Sequence, residues 1–166
     1  VLYSSIEEWK KDYETLKKYD IEVIPLFVNF SDESFQDGVD ITTPQLYEKV
    51  KEKNELPKTA AIPIPAFIKV FQKHVDNGDE VIYTGISKQM SRTFENAILA
   101  AREVDESKIF LVDSMSLSTG IGLLLLKACK YRDSGMSANE IKVQLEIDRT
   151  KVLSQFVIET MDYLHK

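Results

Sequence analysis

Apolar residues alternate along this chain between short unbroken runs and spacings of three and four, so the pattern predicts strands and helices in turn. Ile6, Trp9, Tyr13, Leu16 and Tyr19 keep the helical spacing, which predicts a helix over residues 5–19 with a charged outer face. Ile21 to Val28, IEVIPLFV, is β-branched and nearly all apolar, as a strand covered on both faces requires. Pro25 removes one ladder donor there and favours a sheet edge or a bulge. Phe35-Gln36-Asp37-Gly38 predicts a turn, and Thr43-Pro44 opens a helix to Asn54 with cap hydroxyl and first-turn proline in order. Leu56 to Pro63 reads as a loop. Pro65 then starts a helix with Phe67, Ile68, Phe71 and Val75 on its apolar face, and Gly78 ends it.

The stretch from Asp79 to Ala101 is the most informative. It predicts a strand from Glu80 to Ile86, a loop of Ser87, Lys88, Gln89, Met90 and Ser91, and a helix on Phe94, Ala97, Ile98 and Ala101. A helix start carries backbone N–H groups without intrahelical partners and the positive end of the helix dipole. With hydroxyl donors beside it, such a start suits a carboxylate or phosphate without a metal. A second unit repeats the plan: Ile109 to Asp113, then Ser114, Ser116, Ser118 and Thr119, then Gly120-Ile121-Gly122 and a Leu-rich helix. Two units in series predict an anion or polar head group at the carboxyl ends of a parallel sheet. Gly135 closes the Leu-rich helix, Ser137 caps another through about Arg149, and Val152 to Ile158 reads as a last strand. The expected fold class is α/β, a three-layer sandwich with a mainly parallel sheet.

Composition narrows the function classes. With 166 residues, 43% of them hydrophobic, the chain makes one globular domain. A formal charge of −6 argues against nucleic acid as a partner. The single Cys129 excludes a disulfide framework and fits a reducing, cytoplasmic setting. The longest apolar stretch, Gly120 to Leu126, is far short of the roughly 20 residues that span a bilayer.

Catalytic chemistry finds little to build on. Gly85-Ile86-Ser87-Lys88-Gln89 begins like a nucleophile elbow but lacks its final glycine. His74 lies on a charged helix face and His165 at the chain's end, so neither reads as a general base, and no metal-ligand cluster is visible. Ser118 to Gly122 resembles a phosphate loop without its Lys-Ser/Thr, and the bland reading is glycines for close helix-to-sheet packing. Asp113 either orients a ligand or caps the next turn. Ser91 either donates to a ligand or caps its helix, and the two roles are compatible. The Leu123 to Leu126 run reads as a buried helix in preference to a lipid channel, although both need the same residues.

Several segments together resemble the N-terminal domain of the DegV family of bacterial fatty-acid-binding proteins. They are Tyr19 to Leu26, Phe35 to Thr42, Leu56-Pro57-Lys58-Thr59, Ile86-Ser87 through Ser91 and Thr93, and Val112-Asp113-Ser114 with Ser118, Gly120 and Gly122. Gly135-Met136-Ser137, Glu140-Ile141 and Ile158 to Leu164 continue the match, which runs in order from about Ser4. The resemblance implies that residues 1–166 form the N-terminal lobe of a two-lobed protein. In that family an acyl chain lies in an apolar tunnel with its carboxylate held by hydroxyls. It also implies a long-chain fatty acid as ligand, a separate fatty acid kinase subunit to which the acid is presented, and neither a catalytic base nor a cofactor.

By position, Ser91 matches the family serine that bonds the carboxylate. The second hydroxyl comes in the family from a stretch that is Thr59-Ala60-Ala61 here, so Ala60 offers only its backbone and Thr59 is the substitute. Arg92 stands where the family has glycine; its guanidinium either strengthens carboxylate binding or blocks the mouth. Thr93, Asp113, Ser114 and Ser118 are secondary ligand candidates. The start, Val1 to Ser5, lacks the family's Asp, and the chain stops at Lys166 before the second lobe. The alternative is an enzyme, a phosphotransferase or hydrolase acting on a small anion at the same loops, which requires a titratable base near Ser91 or Asp113.

Overall fold

Two small sheets organise the computed structural model, which describes residues 14–155. The first is antiparallel, in the order β2-β1-β3, with β1 at Phe27–Asn29, β2 at Ser34–Gln36 and β3 at Lys58–Ala60. Val28 is the buried residue of β1 and lies opposite both Phe35 and Thr59. Helix α1, Thr43–Lys53, follows β2 in the chain. Its cap is Thr42, one residue earlier than the sequence suggests, and the Thr42 N–H donates to Gln45 Oε1 at 2.9 Å. Lys49 and Lys53 on α1 pair with Glu33 and Asp32, which fixes the helix against the β1–β2 turn.

The second sheet is a parallel pair, β4 at Val81–Gly85 and β5 at Ile109–Asp113, in register from Val81↔Ile109 to Gly85↔Asp113. Side chains on a strand point alternately to opposite faces. Tyr83 and Leu111 accordingly meet a core of Phe67, Phe71, Ala97, Ala100 and Ala101 contributed by α2 (Ile64–Asp76) and α3 (Thr93–Val104). Ile82 and Val112 face the other way, onto Leu124 and Ala128 of α4 (Thr119–Asp133) and Ile141 and Leu145 of α5 (Ala138–Asp148). Helices therefore cover both faces of the parallel pair, as its near-continuous apolar strands require. The small side chains of Ala97, Ala100 and Ala101 let α3 lie close against α2, where Phe67, Phe71 and Tyr83 stack edge to face or tilted.

The α/β class holds, with corrections of detail. Among the described residues the sheet is not mainly parallel, since the three-stranded sheet is antiparallel and only β4 and β5 run together. The strand expected over Ile21 to Val28 shrinks to β1. Residues 21–26 are irregular, because Pro25 cannot donate to a ladder, yet Ile24 and Leu26 still pack on the α2–α3 core. The loop expected over Leu56 to Pro63 contains β3, and half the expected turn at Phe35 to Gly38 belongs to β2. Val152 to Gln155 form no strand; a 3-10 turn, Arg149–Lys151, leads instead into an irregular segment, and the rest of that expected strand lies outside the described residues. Residues 14–18 are helical, while the earlier part of the expected first helix also lies outside. No helix among the described residues is long and apolar enough to cross a membrane.

Candidate functional site

Because β4 and β5 run parallel and end level, with Gly85 opposite Asp113, the loops that follow them leave from one edge. The two loops are tied together. The Ser87 N–H donates to the Ser116 carbonyl at 3.0 Å, and Asp113 Oδ1 accepts from the N–H groups of Lys88 and Met115, each at 3.2 Å. Within the first loop the Ser87 carbonyl accepts from Met90 and Ser91, and Ser87 Oγ accepts from Gln89 at 3.3 Å. Asp113 is 6% exposed, so its carboxylate spans the two loops from inside. That geometry matches the turn-capping role for Asp113 and adds a bridge to Lys88.

Ser91 stands at the start of α3. Its Oγ accepts from the Thr93 N–H at 3.2 Å and donates to Thr93 Oγ1 at 2.9 Å. It thereby serves the first helical N–H from one residue ahead of the cap position, which Arg92 occupies. Thr93 is only 2% exposed. Its Oγ1 accepts from the Ile62 N–H at 3.4 Å, while Asn96, three residues on and on the same helix face, donates to the Ile62 carbonyl at 2.8 Å. This clamp fastens the chain just after β3 to the first turn of α3. The clamp thus sets Ser91 and Thr93 near Ile62, the residue that follows the Thr59-Ala60-Ala61 segment in the chain. Thr59 and Ala60 are β3 residues, opposite Val28 and Phe27, with Thr59 exposed. Arg92 is exposed, and its cation sits at the positive end of the α3 dipole, a placement that an anion would relieve.

The second loop is built differently. Ser114 is 0% exposed; its Oγ donates to the Ser116 carbonyl at 3.1 Å and accepts from the Ser116 N–H at 3.0 Å. Its hydroxyl is spent on the turn. Ser118 occupies the cap of α4 with a left-handed φ of 50° and makes no side-chain capping bond. Gly120 and Gly122 lie within α4. A Cβ on Gly120 would collide with the hydroxyls of Ser116 and Ser154, whereas one on Gly122 would meet nothing within 4 Å. The close approach that the glycines suggested is real at Gly120, but it is to hydroxyls of the loop and the following segment rather than to the sheet. In the Leu123 to Leu126 run, Leu124 enters the core, while Leu123 and Leu126 border a groove beside Lys127 and Lys130.

Ser87 and Ser116 carry the joint between the loops, while Asn96, Arg149 and Ser154 were not marked by the sequence. Asn96 had a signal, its helical spacing from Thr93; the other two reach the loops across distances that periodicity does not show. His74 is not simply solvated, since Nε2 lies 2.7 Å from Glu22 Oε2 and Nδ1 lies 3.3 Å from Asp79 Oδ2. The hydrogen bond from His74, and then that from Lys73, holds the Glu22 carboxyl below its usual range. Burial pushes the Cys129 thiol up, away from a reactive thiolate. No group of acidic, His and Cys side chains among the described residues could hold a metal ion.

The sequence and the fold agree with known proteins. The profile described as "Uncharacterised protein, DegV family" matches residues 11–166. A DegV domain-containing protein of Clostridium perfringens is 34% identical over 151 residues, covering 91% of this chain and 54% of the relative. The crystal structure of DegV from Bacillus subtilis, described as a fatty acid binding protein, superposes with a TM-score of 0.77 at 30% identity, over 83% of this chain and 49% of that one. A Thermus thermophilus DegV family protein described by its fatty acid binding gives 0.75 at 28% identity, over 82% and 49%. The chain spans about half the length of the curated relatives it matches. It belongs to the DegV family.

Proposed function

We propose that, as a member of this family, the domain binds a long-chain fatty acid and holds its carboxylate at the start of α3. One observation carries the reading: the clamp of Thr93 and Asn96 on Ile62 holds the chain just after β3 against the first turn of α3, where the Ser91 hydroxyl and the positive end of a helix dipole lie. A hydroxyl proton rotates freely, so Ser91 Oγ–H can leave Thr93 Oγ1 for a carboxylate oxygen while its lone pair keeps the Thr93 N–H. Thr93 orients Ser91. Arg92 supplies charge from the rim, and Ala60 supplies backbone in place of a hydroxyl. The fatty-acid binding of the Bacillus subtilis and Thermus thermophilus proteins supports the same ligand class here.

In this reading residues 1–166 act as the N-terminal lobe of a two-lobed, non-catalytic carrier in the cytoplasm, which presents the bound acid to a partner kinase. The carboxylate would be the group presented, since it lies at an exposed edge of the domain beside Arg92. The test is a titration of the full-length protein with a fluorescent acyl probe. Ser91→Ala removes a hydrogen bond to a charged group and is expected to weaken binding about tenfold or more, with the unfolding midpoint little changed. Unaltered affinity in a folded Ser91→Ala protein would remove Ser91 from the site.

A further inference from the structure

The segment that follows α5 reaches back to the carboxyl edge at two points. Arg149 Nη1 donates to the Asp113 carbonyl at 2.9 Å. Five residues on, Ser154 Oγ lies 2.7 Å from Ser116 Oγ. Both partners belong to the end of β5 and the loop after it, and that loop carries the Ser91 loop. The Ser116 carbonyl accepts from the Ser87 N–H, and the Ser87 carbonyl accepts from the Ser91 N–H at 3.1 Å. Asp113 adds the parallel bond from its carboxylate to the Lys88 N–H. An unbroken run of hydrogen bonds thus links Ser154 to the backbone of Ser91. Neither bond is needed to form a helix or a strand. Keeping the Ser154 bond nevertheless requires Gly120, because any side chain there would enter the space of the Ser116–Ser154 pair. The Arg149 Nε is buried without a hydrogen-bond partner. The Nη1 contact with Asp113 is therefore the side-chain hydrogen bond that holds the guanidinium at this edge.

We infer that Arg149 and Ser154 are positioning residues which brace the Ser91 loop through Asp113 and Ser116. The strap they form fixes the backbone from which Ser91 projects, and it makes the site responsive to whatever moves the segment after α5. Ligand binding at Ser91 and the conformation of residues 149–154 are then linked, so each stabilises the other. The link to affinity rests on the carboxylate reading of Ser91; the bracing itself does not.

The experiment separates the two. Amide hydrogen exchange is followed at Ser87 and Ser91 in the ligand-free, full-length protein, for Ser154→Ala, Arg149→Met and the conservative Ser154→Thr, under conditions where each stays folded. Bracing predicts that exchange at both amides rises about three- to tenfold in Ser154→Ala, the range of one lost neutral hydrogen bond, and about tenfold or more in Arg149→Met, where the lost bond has a charged donor. The hydroxyl of Ser154→Thr restores protection, and amides in the α2–α3 core are unaffected. Unchanged protection at Ser87 and Ser91 overturns the inference, as does a rise shared equally by the core amides. Acyl-probe affinity then supplies a second readout. Ser154→Ala is expected to weaken binding in the native background and to add little on top of Ser91→Ala. Full multiplication of the two effects overturns the link to Ser91. An affinity insensitive to Ser91→Ala, together with faster exchange in the strap variants, sinks the carboxylate reading and leaves the brace standing.

Discussion

Asp148 shows how much a single side chain carries in this domain. It is 2% exposed and is met by Tyr131 Oη at 2.5 Å, Lys127 Nζ at 2.8 Å and Lys151 Nζ at 3.4 Å. The hydrogen bond from Lys127, followed by that from Tyr131, pulls its carboxyl down to about 2. A carboxyl whose pKa is lower in the folded than in the unfolded chain adds stability above its unfolded value. That contribution is lost as pH falls through the folded value. Because its lysine partners are half exposed and screened by solvent, the lost share is about 1 kcal/mol, spread between about pH 4 and pH 2. Asp148→Asn is expected to lower stability at neutral pH by about 1 kcal/mol and to flatten the acid limb of the urea-unfolding free energy. An unchanged acid limb would contradict the assignment. At this scale the sequence marks Ser91 at the start of α3, because hydroxyls are favoured where a helix begins. Sequence reading did not reach Asp148 or Arg149, whose roles depend on partners from other elements. It named turn-capping as one of two roles for Asp113, and the bonds from Lys88 and Met115 show that contact.

Among the elements, β4 and β5 were legible to within a residue, since each opens on an apolar run, Val81 to Tyr83 and Ile109 to Val112, and leads into a polar loop. The helices were legible from their spacing and caps; Ser137 and Glu140 form the reciprocal cap of α5, with the Ser137 N–H donating to Glu140 Oε2 at 2.8 Å. β2 and β3 were not, because SFQ and KTA are too short and too polar to show alternation. They exist through pairing with β1, a tertiary effect. The two glycines of α4 divide in the same way. Gly120→Ala is expected to cost about 1–3 kcal/mol, since its Cβ must displace the Ser116 and Ser154 hydroxyls. Gly122→Ala meets open space inside a helix and is expected to stabilise by about 0.5–1 kcal/mol. Thermal unfolding of the two variants checks both signs, and a shared sign would show that the α4 start is misplaced.

The whole domain places its hydroxyl loops at one edge of a parallel pair that is sealed by helices on both faces. A separate antiparallel sheet carries Thr59 and Ala60, and Ile62 just after it is bonded to the first turn of α3. The family and the α/β class were open to sequence reading because the matching segments run through the chain in order. The division into two sheets was not, since it turns on short pairings around β1. The central claim is that Ser91 and its surroundings hold a fatty-acid carboxylate. It is tested most directly by native mass spectrometry of the full-length protein purified from a bacterial host. The account predicts a mass excess equal to one long-chain fatty acid, released by organic denaturation and reduced in Ser91→Ala. A bare protein that takes up no added long-chain acid would contradict it.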